Sequence, residues 1–307
     1  MTESQSILCV GIDVGGTKTS IAYRNRGAET DSTVRFSSHG YNYHRAGTAH
    51  IIGLVAASLF RIREETQGET IIYAVAGIAG AGRKDILDEL NQGFATVRTN
   101  PLDRFEAHSD AHIAVEGAFS GRAGAIVIAG TGSGVYAKSE SGNRLRAGGW
   151  GARLGDPGSG EQVGRRALSA VSRAWDGGKR TRMSEVLATE LDLSDRDRII
   201  RAVYDENLEL STLAPFVLEA AAKGDEVAHE ILQTEAYELA NEARLVLEQL
   251  DTPRVALMGG LIQNTVYRHL LEDAVTAAIP GVEFTVPDDL PEIGALRLAE
   301  ELSDSEN

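Results

Sequence analysis

The sequence predicts an α/β protein made of two similar halves, and three observations carry that prediction. A short apolar run rich in branched residues, Ile7 to Ile12, reaches a carboxylate at Asp13. The turn Val14-Gly15-Gly16-Thr17-Lys18-Thr19-Ser20 follows, and a strand pattern resumes at Ile21-Ala22-Tyr23. The same design returns as Ala125-Ile126-Val127-Ile128-Ala129, Gly130-Thr131-Gly132-Ser133-Gly134 and Val135-Tyr136-Ala137. Third, residues 160–250 are almost continuously helical in pattern.

Glycines let a turn approach a ligand closely, and successive backbone N–H groups form a concavity suited to phosphate. Taken alone, the Asp13–Thr19 turn fits a plain β-hairpin equally well. Two such turns, one per half, suit a phosphate clamp. The Asp13–Thr19 turn has neither the spacing of a Walker A loop nor that of a dinucleotide fingerprint.

With 307 residues the chain can bury a large core. Its net charge of −15 argues against broad binding to nucleic acid or anionic membrane. It argues little against a small anionic ligand, because local dipoles override net charge. The single cysteine, Cys9, excludes an intramolecular disulfide and a cysteine-held zinc site. No apolar run reaches membrane-spanning length, and Met1–Ser6 lacks a signal peptide's features, so a cytoplasmic protein is expected.

Along the chain, Thr33–Phe36 leads into a polar loop, Ser37 to Arg45, which contains Asn42 and Tyr43. Ala46–Gln67 is an amphipathic helix with Ile51, Val55, Leu59 and Ile62 on one face. Strand Thr70–Ala76 runs into the glycine-rich Gly77–Gly82. A helix over Asp85–Phe94, a strand near Ala95–Arg98 and a strand at Phe105–His108 follow. Ser109-Asp110 ends that strand before a helix over Ala111–Phe119. Asp110 is either the helix N-cap or a strand-end carboxylate facing a ligand.

Ser120–Gly124 is the candidate boundary. We expect a first domain over 1–120 and a second over 121–307, with a helical insertion at about 160–250 and a last helix able to pack back on the first domain. After a strand ending at Leu145–Ala147, Gly148–Gly160 holds six glycines in thirteen residues, together with Trp150, Asp156 and Ser159. Such a loop is costly in chain entropy and needs a cause. Trp150 suits stacking on a sugar ring or anchoring the loop. Asp156 suits binding hydroxyls or capping the next helix, for which Ser159 with Gln162 three residues on is another cap. Helices are expected over Gly160–Trp175, Arg182–Leu191, Asp195–Tyr204, Leu210–Lys223 and Asp225–Leu250. Strand Arg254–Met258, a third glycine turn at Gly259–Asn264, helix Thr265–Ala278, strand Val282–Val286 and a helix opening at Pro291 complete the order. The acidic tail from Glu300 is expected to fray.

These motifs together resemble the actin-like ATPase superfamily, and within it the N-acetylglucosamine kinase family of the BadF/BadG/BcrA/BcrD-type ATPase branch. The resemblance runs through Gly11–Thr19, Ala76–Gly82, Ser109-Asp110-Ala111, Ala129–Ser133, Gly148–Gly151, Leu154–Gly160 and Met258-Gly259-Gly260. It implies two actin-like (ribonuclease H-like) lobes with ATP and an amino sugar in the cleft between them. Asp13 would hold Mg²⁺ through water. Gly15, Gly16, Thr17 and Lys18 would meet the phosphates from one lobe, and Thr131 and Gly132 from the other. Gly260 and Asn264 fall where the family contacts adenosine. Asp110 would take the proton of the sugar's 6-hydroxyl. Asn42, Tyr43, Ser133, Gly149, Trp150, Gly151 and Asp156 fall at or beside its sugar contacts. Ser109 stands where the family usually has asparagine, and Pro157 where it usually has glutamate; both flank the sugar site.

The function expected is ATP-dependent phosphorylation of N-acetylglucosamine, with glucosamine or N-acetylmuramic acid as alternative acceptors. A homodimer is expected from the same resemblance. A nucleotide-switched sugar-binding regulator is the competing expectation, and no appended basic helix-turn-helix favours it.

Overall fold

A computed structural model describes residues 6–41, 43–66, 70–98 and 100–305. The chain divides into two compact units, one running to Arg122 and resuming at Pro287, the other spanning Ala123–Val286. Sequence alone drew the second domain as 121–307; by contacts, the residues from Pro287 onward count with the first unit. No helix among the described residues is long and apolar enough to cross a membrane.

The first unit opens with β1 (Ser6–Val14), β2 (Lys18–Asn25) and β3 (Val34–His39), an antiparallel meander. The short α1 (Tyr43–Ala46) and α2 (Thr48–Glu65) cross to β4 (Thr70–Ile78), which pairs parallel to β1. Next come α3 (Lys84–Val97), β5 (Arg104–Ser109) and α4 (Asp110–Ala118), giving the sheet order β3-β2-β1-β4-β5. Strand β1 is central and buried on both faces, which is why it reads as an unbroken apolar run. Leu8, Val10, Ile12 and Val14 pack with Ile51, Val55 and Ile62 of α2 and Ile86, Leu90 and Phe94 of α3.

The second unit repeats this plan. Strands β6 (Gly124–Ala129), β7 (Ser133–Lys138) and β8 (Arg144–Gly148) form the meander. Five helices follow: α5 (Gly160–Trp175), α6 (Met183–Leu191), α7 (Arg196–Tyr204), α8 (Ala214–Ala222) and α9 (Glu226–Leu247). The crossover ends in β9 (Arg254–Met258), parallel to β6, then α10 (Thr265–Ala278) and the two-residue β10 (Glu283–Phe284). The sheet order is β10-β9-β6-β7-β8, the same arrangement as in the first unit.

The last helix, α11 (Pro291–Ser305), covers the other face of the first sheet with Ala295, Leu296 and Ala299 against Cys9, Ala22, Val75 and Ile113. Gly11 makes this possible, since a Cβ there would run into the backbone of Glu292 and Leu296. Gly294 is likewise in backbone contact with α4 at Ile113 and Gly117.

Three expectations need correction. Residues 95–97 continue α3 instead of forming a strand, because Phe94 extends the Ile86–Leu90 stripe by another turn and holds that turn on the core. The tail from Glu300 is not frayed: α11 runs to Ser305, Arg24 grips Glu300 at 2.6 and 2.8 Å, and Arg26 pairs with Asp304 at 2.6 Å. The last strand shrinks from 282–286 to Glu283–Phe284, and Val286 is 78% exposed.

Leu296 is fully buried between α11 and β1. Leu296→Ala is expected to cost about 2–5 kcal/mol in urea unfolding, against less than about 0.5 kcal/mol for Val286→Ala.

Candidate active site

The carboxyl ends of parallel strands are where open α/β sheets expose ligand-binding groups. In the first unit, Asp13 of β1 pairs in register with Gly77 of β4, which pairs with His108 of β5. Asp13 and Asp110 therefore sit at one sheet edge, although they are far apart in sequence. The turn after Asp13 closes through Gly15 N–H to Lys18 O at 3.0 Å and leaves Gly16, Thr17 and Lys18 exposed. Thr19, fully buried, donates to His39 O at 3.0 Å and fixes the turn to β3. Tyr43 joins this edge, its N–H bonded to Ala79 O at 3.1 Å and its hydroxyl 3.2 Å from Thr48 Oγ1. Asn42 lies outside the described residues.

Asp110 is not the helix cap. Ser109 caps α4 by accepting His112 N–H at 3.2 Å, and Asp110 is the first helical residue, accepting Ala111 N–H at 2.8 Å. Its side chain keeps access to solvent, yet protein crowds it enough for desolvation to raise its pKa. Access to a reactant is what a base needs first, and the upward shift adds proton affinity.

Asp13 carries the larger burden. Burial, then the neighbouring carboxylates of Glu292 and Asp110, push its pKa up to about 7, with Lys18 pulling the other way. Glu292, 4% exposed in the first turn of α11, pairs with Arg35 of β3. Sequence reasoning missed Glu292, since an acidic residue opening a helix reads as an ordinary dipole partner. Among the described residues no three His, Cys, Asp or Glu side chains are grouped as a metal cage.

In the second unit, the Gly130–Ser133 turn is fastened to the start of α5. Gly160 N–H bonds Gly130 O at 2.8 Å and Glu161 N–H bonds Thr131 O at 3.2 Å. Thr131 stays exposed, whereas Ser133 is buried and donates to Pro157 O at 2.6 Å. Gly260 lies against Gly130 at the same edge. Asn264 caps α10, its Oδ1 accepting Val266 and Tyr267 N–H groups at 3.0 and 3.2 Å.

The glycine-rich loop owes its order to specific ties. Asp156, 5% exposed and with φ of 62°, accepts Gly151 N–H at 2.8 Å and faces Gly132. It does not cap a helix; Ser159 does, accepting Gln162 N–H at 3.2 Å. Gly149 lies between Gly148 and Trp150, against the Tyr136 hydroxyl. Trp150 is 65% exposed, with the Arg146 guanidinium 5.1 Å from its ring centre. Beneath the loop, Glu235 of α9 accepts Gly158 N–H at 2.6 Å and pairs with Arg166, while Tyr267 of α10 donates to Gly158 O at 2.8 Å. Burial raises the Tyr267 hydroxyl pKa, so it remains a donor. Glu235 and Tyr267 were invisible to pattern reading, which took their helices as packing elements.

The Tyr267 hydroxyl is the simplest of these ties to remove, and Tyr267→Phe is expected to cost about 1–2 kcal/mol in urea unfolding. For Asp13, a pKa raised above its unfolded value of about 3.9 means that the fold favours the protonated form. Its contribution is lost as pH rises from about 4 to about 7. Asp13→Asn is therefore expected to melt above wild type at pH 8 in magnesium-free buffer, and level with it at pH 4.

Comparison with known proteins follows the same motifs. A model of the BadF/BadG/BcrA/BcrD ATPase family matches residues 10–299. The N-acetyl-D-glucosamine kinase of Dictyostelium discoideum is 30% identical over 313 residues, covering 94% of this chain and 97% of that protein. The N-acetylmuramic acid/N-acetylglucosamine kinase of Clostridium acetobutylicum is 33% identical over 202 residues, covering 62% of this chain and 64% of that one. Among solved structures, a candidate N-acetylglucosamine kinase from Chromobacterium violaceum has the same fold, with a TM-score of 0.74 at 24% identity, over 96% of this chain and 99% of the other. With residues 10–299 matched, from the Asp13 turn to the last helix, the chain belongs to the BadF/BadG/BcrA/BcrD ATPase family.

Proposed function

We propose that this chain is an ATP-dependent amino-sugar kinase that phosphorylates the 6-hydroxyl of N-acetylglucosamine, with glucosamine and N-acetylmuramic acid as the alternative acceptors. The observation that carries it is the accessible Asp110 carboxylate at the same sheet edge as Asp13 and the exposed Gly16–Lys18 turn. The names of the two curated relatives support the acceptor class.

Phosphoryl transfer asks for positioning, charge neutralisation and one proton acceptor. Asp110 takes the proton from the sugar hydroxyl as that oxygen bonds the γ-phosphorus and the bond to the β,γ-bridging oxygen breaks, releasing ADP. The exposed Gly16, Thr17 and Lys18, on the turn that Gly15 closes, bind the phosphates from the first unit, and Thr131 and Gly132 are the phosphate contacts of the second. Gly260 and Asn264 serve the adenosine. Asn42, Tyr43, Ser133, Gly149, Trp150, Gly151 and Asp156 serve the sugar; Ser133 and Asp156 do so largely by shaping the loop.

The donor set fits magnesium. Asp13 sits among carboxylates that raise its pKa, opposed by Lys18, so a cation there relieves repulsion. Mg²⁺ keeps several waters and needs only one or two carboxylates plus phosphate oxygens, so the lack of a three-residue cage among the described residues suits it. Bound there, it would neutralise charge on the phosphates. A cytoplasmic enzyme belongs to the same proposal, since an ATP consumer works where ATP is supplied, and the homodimer belongs to it through the family resemblance alone.

A coupled assay of ADP release across the three sugars is the test. ADP release accelerated by at least one of them is expected, and release that no sugar accelerates overturns the proposal. Asp110→Asn is expected to lower kcat by about 10²–10⁴-fold while ATP affinity, measured by calorimetry, changes less than about threefold.

A further inference from the structure

Between the C-terminal halves of α2 and α3, where both pack on the first sheet, lies a pocket of about 170 Å³. Ile72 of β4 and Phe105 of β5 form its floor, and Phe60 of α2 with Phe94 and Val97 of α3 form its walls. Phe60 and Val97 are 55% and 41% exposed, so apolar surface is left facing water at the mouth. The strand register puts the pocket at the amino ends of the strands. Ile72 pairs with Leu8, and Arg104 pairs with Tyr73, whereas Asp13 stands at the carboxyl end of β1. The pocket is therefore separate from the candidate active site.

Its polar groups can be followed one by one. The Asp103 carboxylate is saturated: it accepts from Arg63 Nη2 at 2.8 and 2.6 Å and from the N–H groups of Ile72 at 2.9 Å and Asn100 at 3.3 Å. Arg63 also donates to Thr70 O at 2.8 Å, and Arg104 donates to the carbonyls of Leu102 and Asp103 at 3.1 and 3.3 Å. Asn91 spends its Oδ1 on Ala107 N–H at 2.8 Å. Two lining groups have no hydrogen-bond partner among the described residues, the Asn91 amide nitrogen and the Arg98 guanidinium, and both are donors. Three arginines, at 63, 98 and 104, stand against the single carboxylate of Asp103 in a chain whose net charge is −15. An apolar cup with spare donors and local positive charge complements an apolar body carrying one acid group. An apolar cavity of about 150 Å³ holds benzene, which sets the size of that body at a single ring.

We propose that this pocket binds a small aromatic carboxylate, its ring against Phe60, Phe94 and Phe105 and its carboxylate accepting from Arg98 and Asn91. Edge-to-face and offset contacts with the phenylalanines favour an aromatic ring over an alkyl chain of the same size. The proposal does not depend on the amino-sugar kinase assignment.

The test is calorimetry with phenylacetate as the probe and phenylacetamide as its neutral counterpart. Phenylacetate is expected to bind with a Kd of about 1 mM or below, and phenylacetamide about tenfold more weakly. Arg98→Gln is expected to weaken phenylacetate about tenfold and to bring acid and amide level, which a merely structural role would not do. Ala95, exposed on the pocket wall, becomes a plug in Ala95→Trp, which is expected to abolish binding. Both variants are expected to keep the wild-type rate of sugar-dependent ADP release. No binding of phenylacetate to the wild type overturns the inference, as does equal binding of acid and amide, or binding that Ala95→Trp leaves intact. Displacement of phenylacetate by saturating ATP and N-acetylglucosamine overturns it too, because the probe would then occupy the active site. If Ala95→Trp does not fold, the acid and amide pair on the wild type and on Arg98→Gln decides.

Discussion

The first unit depends on how closely a helix can approach its central strand. Strand β1 is covered by α2 and α3 on one face, and its other face is closed by α11, whose backbone rests at Gly11. That approach brings the first turn of α11, with Glu292, to the carboxyl end of β1, where Asp13 stands. Burial and the neighbouring carboxylates together raise the pKa of Asp13, an effect that a cation there would oppose. Under the proposed function, a hydrated metal ion and phosphates would relieve that cost at Asp13.

The second unit has the same strand order and holds the corresponding sheet edge differently. Its first turn is fastened to the N-terminus of α5, and its long glycine loop is held from below by α9 and α10. The glycines allow the chain to bend tightly, and Gly148, Gly149, Gly151 and Gly158 all have positive φ. The order comes from elsewhere: Asp156 to Gly151, Ser133 to Pro157, Glu235 and Tyr267 to Gly158. Rigid support of this kind is what positions a binding loop on a scaffold. The helical insertion is therefore the platform of the loop as well as a core.

The legible parts of the site were those written in contiguous residues. The Asp13–Thr19 and Gly130–Ser133 turns, the Gly148–Gly160 loop and the Ser159–Gln162 cap can each be read from a short window, because turn chemistry and capping are local. The errors came where two local signals competed. Ala95-Thr96-Val97 suits a strand by composition, yet the helical stripe ending at Phe94 outweighs it. The acidic tail looked soluble and loose, but Arg24 and Arg26 on β2 hold Glu300 and Asp304. For Asp110 the sequence left cap and strand-end carboxylate both open, and the choice needed the structure, in which Ser109 is the cap and the aspartate stays accessible.

By itself the sequence determined the α/β class, the duplicated strand–turn–strand plan, the two glycine–threonine turns and the identity of Asp13 and Asp110 as the acidic residues at strand ends. Each of these follows from hydrophobic period and turn residues within a few positions. Only the tertiary structure decided which side chains support them. Glu292 stands behind Asp13, and Glu235 and Tyr267 hold Gly158. Those partners lie many tens of residues from the groups they serve. A helix pattern says which face is apolar, but which loop a single buried carboxylate meets depends on how that helix docks.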